Sequence, residues 1–260
     1  MKGVSILFEN SEILLVNKEV GVSVQGGAGV AHPLDEELSK ELGYKIHLVH
    51  RLDKDTAGIL IVAKSPAAAT KWIGLIGSKE VSKEYTAICI GKPSGGKAGQ
   101  EGTLAGTVEA HGKTQKALSR YRVERTGLVP FPQAEGSPCP LEAADEKSDG
   151  KSDGKIPGSP DGIPLCLLSI RIETGRMHQI RIQTAQAGFP IAGDDQHGDF
   201  KKNKMLRKAG IKKLMLASTR LTIPLDGELK TFEIPLPPTC RTRWGGCSRE
   251  ALIKRANFAF

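Results

Sequence analysis

Two short stretches gather most of the side chains able to do chemistry. The first runs from His50 to Ser65, HRLDKDTAGILIVAKS. It sets His50, Arg51, Asp53, Lys54 and Asp55 immediately before an apolar run, and polar groups at the mouth of a rigid strand are a common way to fix a reactive group. The pair Asp53 and Asp55 has the make-up of a glycosidase-like acid and base set, although two acids in a loop are commonplace. The same residues also fit a solvated turn shaped by Thr56 and Gly58. A metal set from His50, Asp53 and Asp55 is opposed by the flanking cations Arg51 and Lys54, so no metal is expected. The second stretch, Glu173 to Asp199, reads ETGRMHQIRIQTAQAGFPIAGDDQHGD. It places Arg176, His178 and Arg181 around a predicted helix start, where backbone N–H groups favour anions such as phosphate or carboxylate.

The elements that must position these groups are mostly strands. Glu12–Lys18 is a short apolar run entering a Gly-rich loop, and Gly58–Ala63 reads as a fully buried strand. Ser65 suits an N-cap and Pro66 a first turn, which predicts a small-residue helix over Pro66–Gly77. Lys83–Ile90, Ala117–Val123 and Leu165–Ile172 are rich in β-branched and apolar residues, and a last strand pair is expected at Leu214–Ile223 and Leu229–Ile234. A helix is predicted over Met177–Ala187, with Met177, Ile180, Thr184 and Ala187 as a narrow buried face, Gly188 as its C′ residue and Pro190 as a stop. The stretch from Gly127 to Pro164 carries seven prolines and the near-repeat KSDGKSDGK. Few apolar residues remain there to offset the entropy of ordering, so 127–164 is expected to be a flexible insertion within one domain spanning 1–260. Strands dominate without regular βαβ alternation, so the fold class is α+β, a mixed, mostly antiparallel sheet with flanking helices.

Composition narrows the partners. The hydrophobic content of 39% supports a substantial core, and 37 basic against 29 acidic residues leave a net charge of +8, which favours a polyanion. The run Lys201–Lys213 holds seven basic residues and no acid. Lys201, Lys202, Lys204, Arg207 and Lys208 are therefore candidates for electrostatic contact with nucleic acid, with Arg241, Arg243 and Arg249 extending the idea. Five scattered cysteines without a C-x-x-C pair read as reduced thiols of a cytoplasmic protein. Glu9 and Glu12 interrupt the N-terminal apolar stretch, so neither a signal peptide nor a membrane span is expected.

Taken together, the segments resemble the RluA-like family of RNA pseudouridine synthases. His50-Arg51-Leu52-Asp53, followed by Thr56, Gly58 and Ala63-Lys64, resembles that family's catalytic motif. Lys83-Glu84-Tyr85 is similar to its tyrosine motif, and Gly175-Arg176-x-His178-Gln179-Ile180-Arg181 to its arginine motif. Asn17-Lys18, the run Gly188-x-Pro190-Ile191-x-Gly193-Asp194 and Pro235-Leu236-Pro237 fall in the family's order. The resemblance implies an isomerase with the pseudouridine synthase fold and a central catalytic cleft, acting on uridines of ribosomal or transfer RNA. Asp53 would attack the uridine, and the freed base would turn and rejoin through C5. Tyr85 would stack under the base and help remove the C5 proton, and Arg176 would pair with Asp53. His50, Arg51, Thr56, His178 and Arg181 would contact the RNA. No redox change occurs, so no cofactor is implied, and a monomer is expected. The alternative is an RNA-binding protein of the same fold that has lost the reaction. Gln183 and Ala217 stand where the family often has histidine, and His197 where it usually has tyrosine. Only 49 residues precede His50, too few for the small upstream RNA-binding domain of many relatives, so none is expected.

Overall fold

The computed structural model describes residues 1–27, 29–110, 112–130 and 162–237. In chain order the elements are β1 (Val4–Glu9), β2 (Ile13–Lys18), α1 (Leu34–Leu42), β3 (His47–Leu48), β4 (Ala57–Ala63), α2 (Pro66–Gly77), β5 (Ser82–Ile90), β6 (Glu101–Ala110), β7 (Lys113–Pro130), β8 (Gly162–Ile172), α3 (Gln179–Gln186), α4 (Phe200–Lys208), β9 (Leu216–Leu225) and β10 (Glu228–Glu233). They build one ten-stranded sheet in the order β1-β2-β4-β9-β5-β8-β7-β6, with β10 on β9 and β3 on β4. Every pairing is antiparallel except β4 with β9. The α+β, mostly antiparallel expectation holds.

The sheet is covered on both faces where its centre lies. All seven residues of β4, AGILIVA, are buried. Along β2 the side chains divide by parity: Leu14 and Val16 join Leu34, Leu38, Leu60 and Val62 in one core, whereas Ile13 and Leu15 join Ile59, Ile61 and Trp72 in the other. A period of two thus feeds two cores from one strand. Helix α2 closes the second core. Ser65 caps it by accepting the Ala68 N–H at 3.2 Å, Pro66 opens it, and the buried Trp72 donates Nε1–H to Glu12 at 3.1 Å.

The two ends of the expected insertion, 127–130 and 162–164, are strand. Strand β7 continues to Pro130 and β8 starts at Gly162, with Leu128, Val129 and Pro130 in register with Pro164, Ile163 and Gly162. Burial of Val129 and Ile163 favours continuing the ladder through the proline-bearing ends. Residues 131–161 lie outside the described residues, as do Arg241, Arg243 and Arg249. Of the cysteines, Cys89 and Cys166 are free, buried and opposite each other on β5 and β8.

Helix α3 also corrects its expected face. Ile180 and Thr184 are buried, but Met177 and Ala187 are exposed, and the polar Gln179, Arg181 and Gln183 are buried instead. Hydrogen bonds replace apolar contact: Gln183 accepts from Ser119 Oγ at 2.7 Å and donates to Leu104 O at 2.8 Å, and Gln179 donates to Leu118 O at 3.0 Å. The predicted stop is correct. Gly188 has φ +83°, its N–H bonds Ala185 O, and the Phe189 N–H bonds Thr184 O, the paired pattern of a Schellman ending.

The parallel junction of β4 with β9 depends on one glycine. Gly58 has φ +115°, and a Cβ there would lie 2.2 Å from Ser218 O and 2.5 Å from Ser218 N. Both the left-handed backbone and the close approach exclude a side chain. Gly58→Ala is expected to destabilise the protein by roughly 2–4 kcal/mol, from strain and overpacking together. Urea unfolding of the two proteins measures it, and a loss below about 0.5 kcal/mol would mean that the strands part easily.

Candidate active site

Asp53 sits in the turn that feeds β4. The Asp53 carbonyl accepts the Thr56 N–H at 3.1 Å, closing a four-residue turn. A buried lysine fastens it. Lys18, at the end of β2 and 0% exposed, donates Nζ to Glu19 O, Val22 O and Lys54 O at 3.2, 2.9 and 3.0 Å. Lys54 O accepts the Gly21 N–H as well, at 2.8 Å. Burial brings the Lys18 pKa down to about 8, against the opposing pull of Asp55 and Asp53. All three ammonium donors are satisfied, so the Asp53 loop is tied to the central sheet by a cation with no freedom left.

The guanidinium that meets Asp53 comes from α3. Arg181 Nη1 lies 3.7 Å from Asp53 Oδ2, and His178 Nε2 lies 3.9 Å from the same oxygen. Arg176, expected to make this pair, is exposed on the cleft rim and forms no ion pair among the described residues. The reason is local: α3 begins at Gln179, so Arg176 stands before the first turn while Arg181 projects from the buried face. Arg181 is itself clamped, donating Nε and Nη2 to Asp194 at 2.9 and 2.8 Å and Nη2 to Gln196 at 3.1 Å. Burial alone would raise the Asp194 pKa, but the Arg181 bonds and the N–H groups of His197 and Gln196 bring it below the usual value. A forked guanidinium thus holds a buried carboxylate with two donors and faces Asp53 with a third.

The cleft around these groups has a volume of about 1010 Å³ and is lined by Asp53, Tyr85, His178 and Arg181, with Lys83 and Arg176 at its sides. Tyr85 is 7% exposed; burial first, then the Asp53 charge, push its pKa up, so it is a neutral phenol. Lys83 has its pKa lowered by burial. His50 Nε2 accepts the Ile61 N–H of β4 at 3.0 Å, and burial with the nearby Lys83 takes its pKa down to about 3. His50 is therefore neutral and braces the strand, which leaves it no positive charge to offer a phosphate.

The remaining expected contacts divide. Arg51 is exposed beside the cleft, and His178 reaches into it. Thr56 borders the cleft but is only 3% exposed, because its place in the turn buries it; it shapes the loop and is too enclosed for a phosphate. Lys201–Lys208 forms most of α4, which sequence patterning did not resolve as a helix. Asp199 caps it by accepting the Lys202 N–H at 3.0 Å. Asn203 anchors it, donating to Asp194 O at 2.8 Å and accepting the Gly193 N–H at 2.9 Å. Lys202 pairs with Asp199 and Arg207 with Asp195, whereas Lys201, Lys204 and Lys208 are exposed and make no ion pair among the described residues. Asp194 and Lys18 were visible only as members of motifs; their roles depend on burial, which spacing does not report. Among the described residues no cluster of three metal-ligating side chains forms, and no helix is long and apolar enough to cross a membrane.

Fold and site together define an α+β protein with a loop-borne aspartate facing an arginine in an open cleft of the sheet. Residues 12–186 match the family model described as RNA pseudouridylate synthase, and the chain belongs to that family. It is 31% identical to ribosomal large subunit pseudouridine synthase C of Salmonella typhimurium over 239 residues, 89% of this chain and 66% of that protein. The Escherichia coli protein of the same name is 30% identical over the same shares. The chain thus spans just under two thirds of these relatives. Its fold matches human RNA pseudouridylate synthase domain containing 1 with a TM-score of 0.64 and 20% identity, over 97% of this chain and 94% of that one.

Proposed function

We propose that this chain isomerises uridines of RNA to pseudouridine, with Asp53 as the attacking group. The observation that carries the reading is the Asp53 carboxylate held 3.7 Å from a clamped guanidinium in a cleft bordered by a buried tyrosine. A carboxylate attacks as the anion, and the Arg181 guanidinium sets an opposite charge beside it without covering the cleft side. In the net reaction the bond from C1′ to N1 breaks, a bond from C1′ to C5 forms, C5 loses its proton to solvent and N1 gains one. Tyr85 is poorly suited to take that proton while Asp53 is charged, because burial and the carboxylate both favour the phenol. As a neutral phenol bordering the cleft, Tyr85 is suited to stack against the base.

The relatives are named ribosomal large subunit pseudouridine synthase, which favours ribosomal over transfer RNA and a cytoplasmic setting. One chain supplies a cleft lined by Asp53, Tyr85, His178 and Arg181, so a monomer suffices for the proposed reaction. RNA labelled with tritium at uridine C5 tests the reading directly: the protein should release tritium to water from RNA, and no release from any cellular RNA fraction would overturn it. Extruding a base from a stack costs a few kcal/mol, so contacts beyond the cleft are needed. Exposed Lys201, Lys204 and Lys208 on α4 are suited to supply them. Changing all three to glutamine is expected to weaken RNA binding and to flatten the slope of log K against log salt by roughly one for each phosphate no longer neutralised. An unchanged slope in filter binding would remove α4 from the interface.

A further inference from the structure

The two histidines beside Asp53 form a unit that the attack itself does not require. His178 Nδ1 and His197 Nε2 are 3.0 Å apart, the rings meet edge to face at 5.1 Å and 73°, and the other His178 nitrogen, Nε2, is the one 3.9 Å from Asp53. Given the proposed role of Asp53, we infer that His197 is a positioning residue: it donates Nε2–H to His178 Nδ1 and so fixes the His178 proton on Nε2, facing the reactive carboxylate.

The inference follows from counting protons. A neutral imidazole has one N–H and one lone pair. If His178 donated through Nδ1, its Nε2 lone pair would point at the Asp53 carboxylate, an acceptor against an acceptor. If His197 donates, His178 turns its N–H toward the carboxylate and the clash of acceptors is removed. Protonating both His178 nitrogens would also satisfy Asp53, but the surroundings oppose a cation. His178 is held neutral first by burial; of the charges facing it, Arg181 from α3 and Arg51 from the Asp53 loop disfavour the cation, while Asp53 and Asp194 favour it. The result is a neutral donor that orients the carboxylate without adding another positive charge to restrain it.

The backbone supports the arrangement. His178 is the N-cap of α3 at φ +52°, a conformation that few non-glycine residues adopt. His197 is fixed through its own N–H, which bonds Asp194 Oδ1 at 3.0 Å. The chain passes close to Asp194 immediately afterwards, where a Cβ on Gly198 would lie 2.2 Å from Asp194 O. Asp194 therefore sets both Arg181 and His197, so the two partners of Asp53 are aligned from one anchor.

The test uses the full chain with 15N-labelled histidine. Long-range 15N–1H spectra should show His178 protonated on Nε2 with Nδ1 accepting; a His178 protonated on Nδ1 at neutral pH would overturn the inference. That measurement needs no turnover, so it stands apart from the proposed reaction, whose own failure would appear as absent tritium release by the wild-type chain. His197→Phe keeps a ring but removes the donor. It should lower kcat on the order of 10- to 100-fold with KM for RNA nearly unchanged, and move the acid limb of the rate profile to higher pH, because a donor to Nδ1 favours the neutral ring. His197→Gln, which retains an N–H donor, should recover most of the rate. Wild-type kcat and pH profile in His197→Phe, or no recovery in His197→Gln, would show that His197 does not position His178.

Discussion

Asp53→Asn is expected to lower turnover on RNA by on the order of 10⁴-fold or more while leaving RNA affinity within about threefold. The amide has nearly the size of the carboxylate but cannot attack as an anion, so the reaction loses its entry step. Binding should survive because the lost charge is a small part of the proposed interface, and removing an anion from a cleft proposed to hold RNA relieves repulsion. The fold should survive also. Asp53 contributes its carbonyl to the turn, and Arg181 remains held by Asp194 and Gln196 after the change. Single-turnover tritium release together with filter binding separates the two quantities. Ordinary turnover in the variant would remove Asp53 from the chemistry, and a parallel collapse of binding would make it a contact residue instead.

Much of the frame around Asp53 can be read from residue order. A seven-residue apolar run after a charged turn announces β4, and Ser65 with Pro66 marks the start of α2. What patterning misreads is the place of the polar residues. Arg176 and Arg181 lie five apart in one motif and have the same chemistry, so type alone does not choose between them. The choice is made by where α3 starts and by the buried acceptor Asp194, which draws Arg181 inward. The same blindness hides the face of α3, because Gln179, Arg181 and Gln183 are buried through hydrogen bonds that hydropathy counts as exposure. Strand β6 escapes notice for a different reason: among its described side chains only Leu104 and Val108 are buried hydrophobics, with alanine, glycine and threonine between them. Lysine-rich α4 shows a charge pattern first, and its anchoring by Asn203 and Leu206 becomes visible only when the loop at Asp194 is in place.

Asp194→Asn is expected to cost about 3–5 kcal/mol of stability at neutral pH, the range for breaking a buried ion pair by removing one partner. The carboxylate is 2% exposed and accepts two bonds from Arg181 and one each from the N–H groups of Gln196 and His197. An asparagine with its oxygen in the Oδ1 place keeps the two N–H bonds and Arg181 Nη2, but its NH2 group then faces Arg181 Nε, so one bond and the whole negative charge are lost. The sign with pH follows from the lowered folded pKa. The contribution of such a group is complete above the unfolded carboxylate value near ~3.9 and disappears as pH falls through the folded value. Urea unfolding should therefore show a large difference between wild type and variant at pH 7 that narrows below about pH 4. Turnover should drop on the order of 100-fold as well, since Arg181 loses the clamp that aims it at Asp53. A variant equally stable and equally active at pH 7 would mean that Arg181 is aligned by something other than this carboxylate. The coupling of the sheet, the guanidinium and the attacking group through one buried acid would then be wrong.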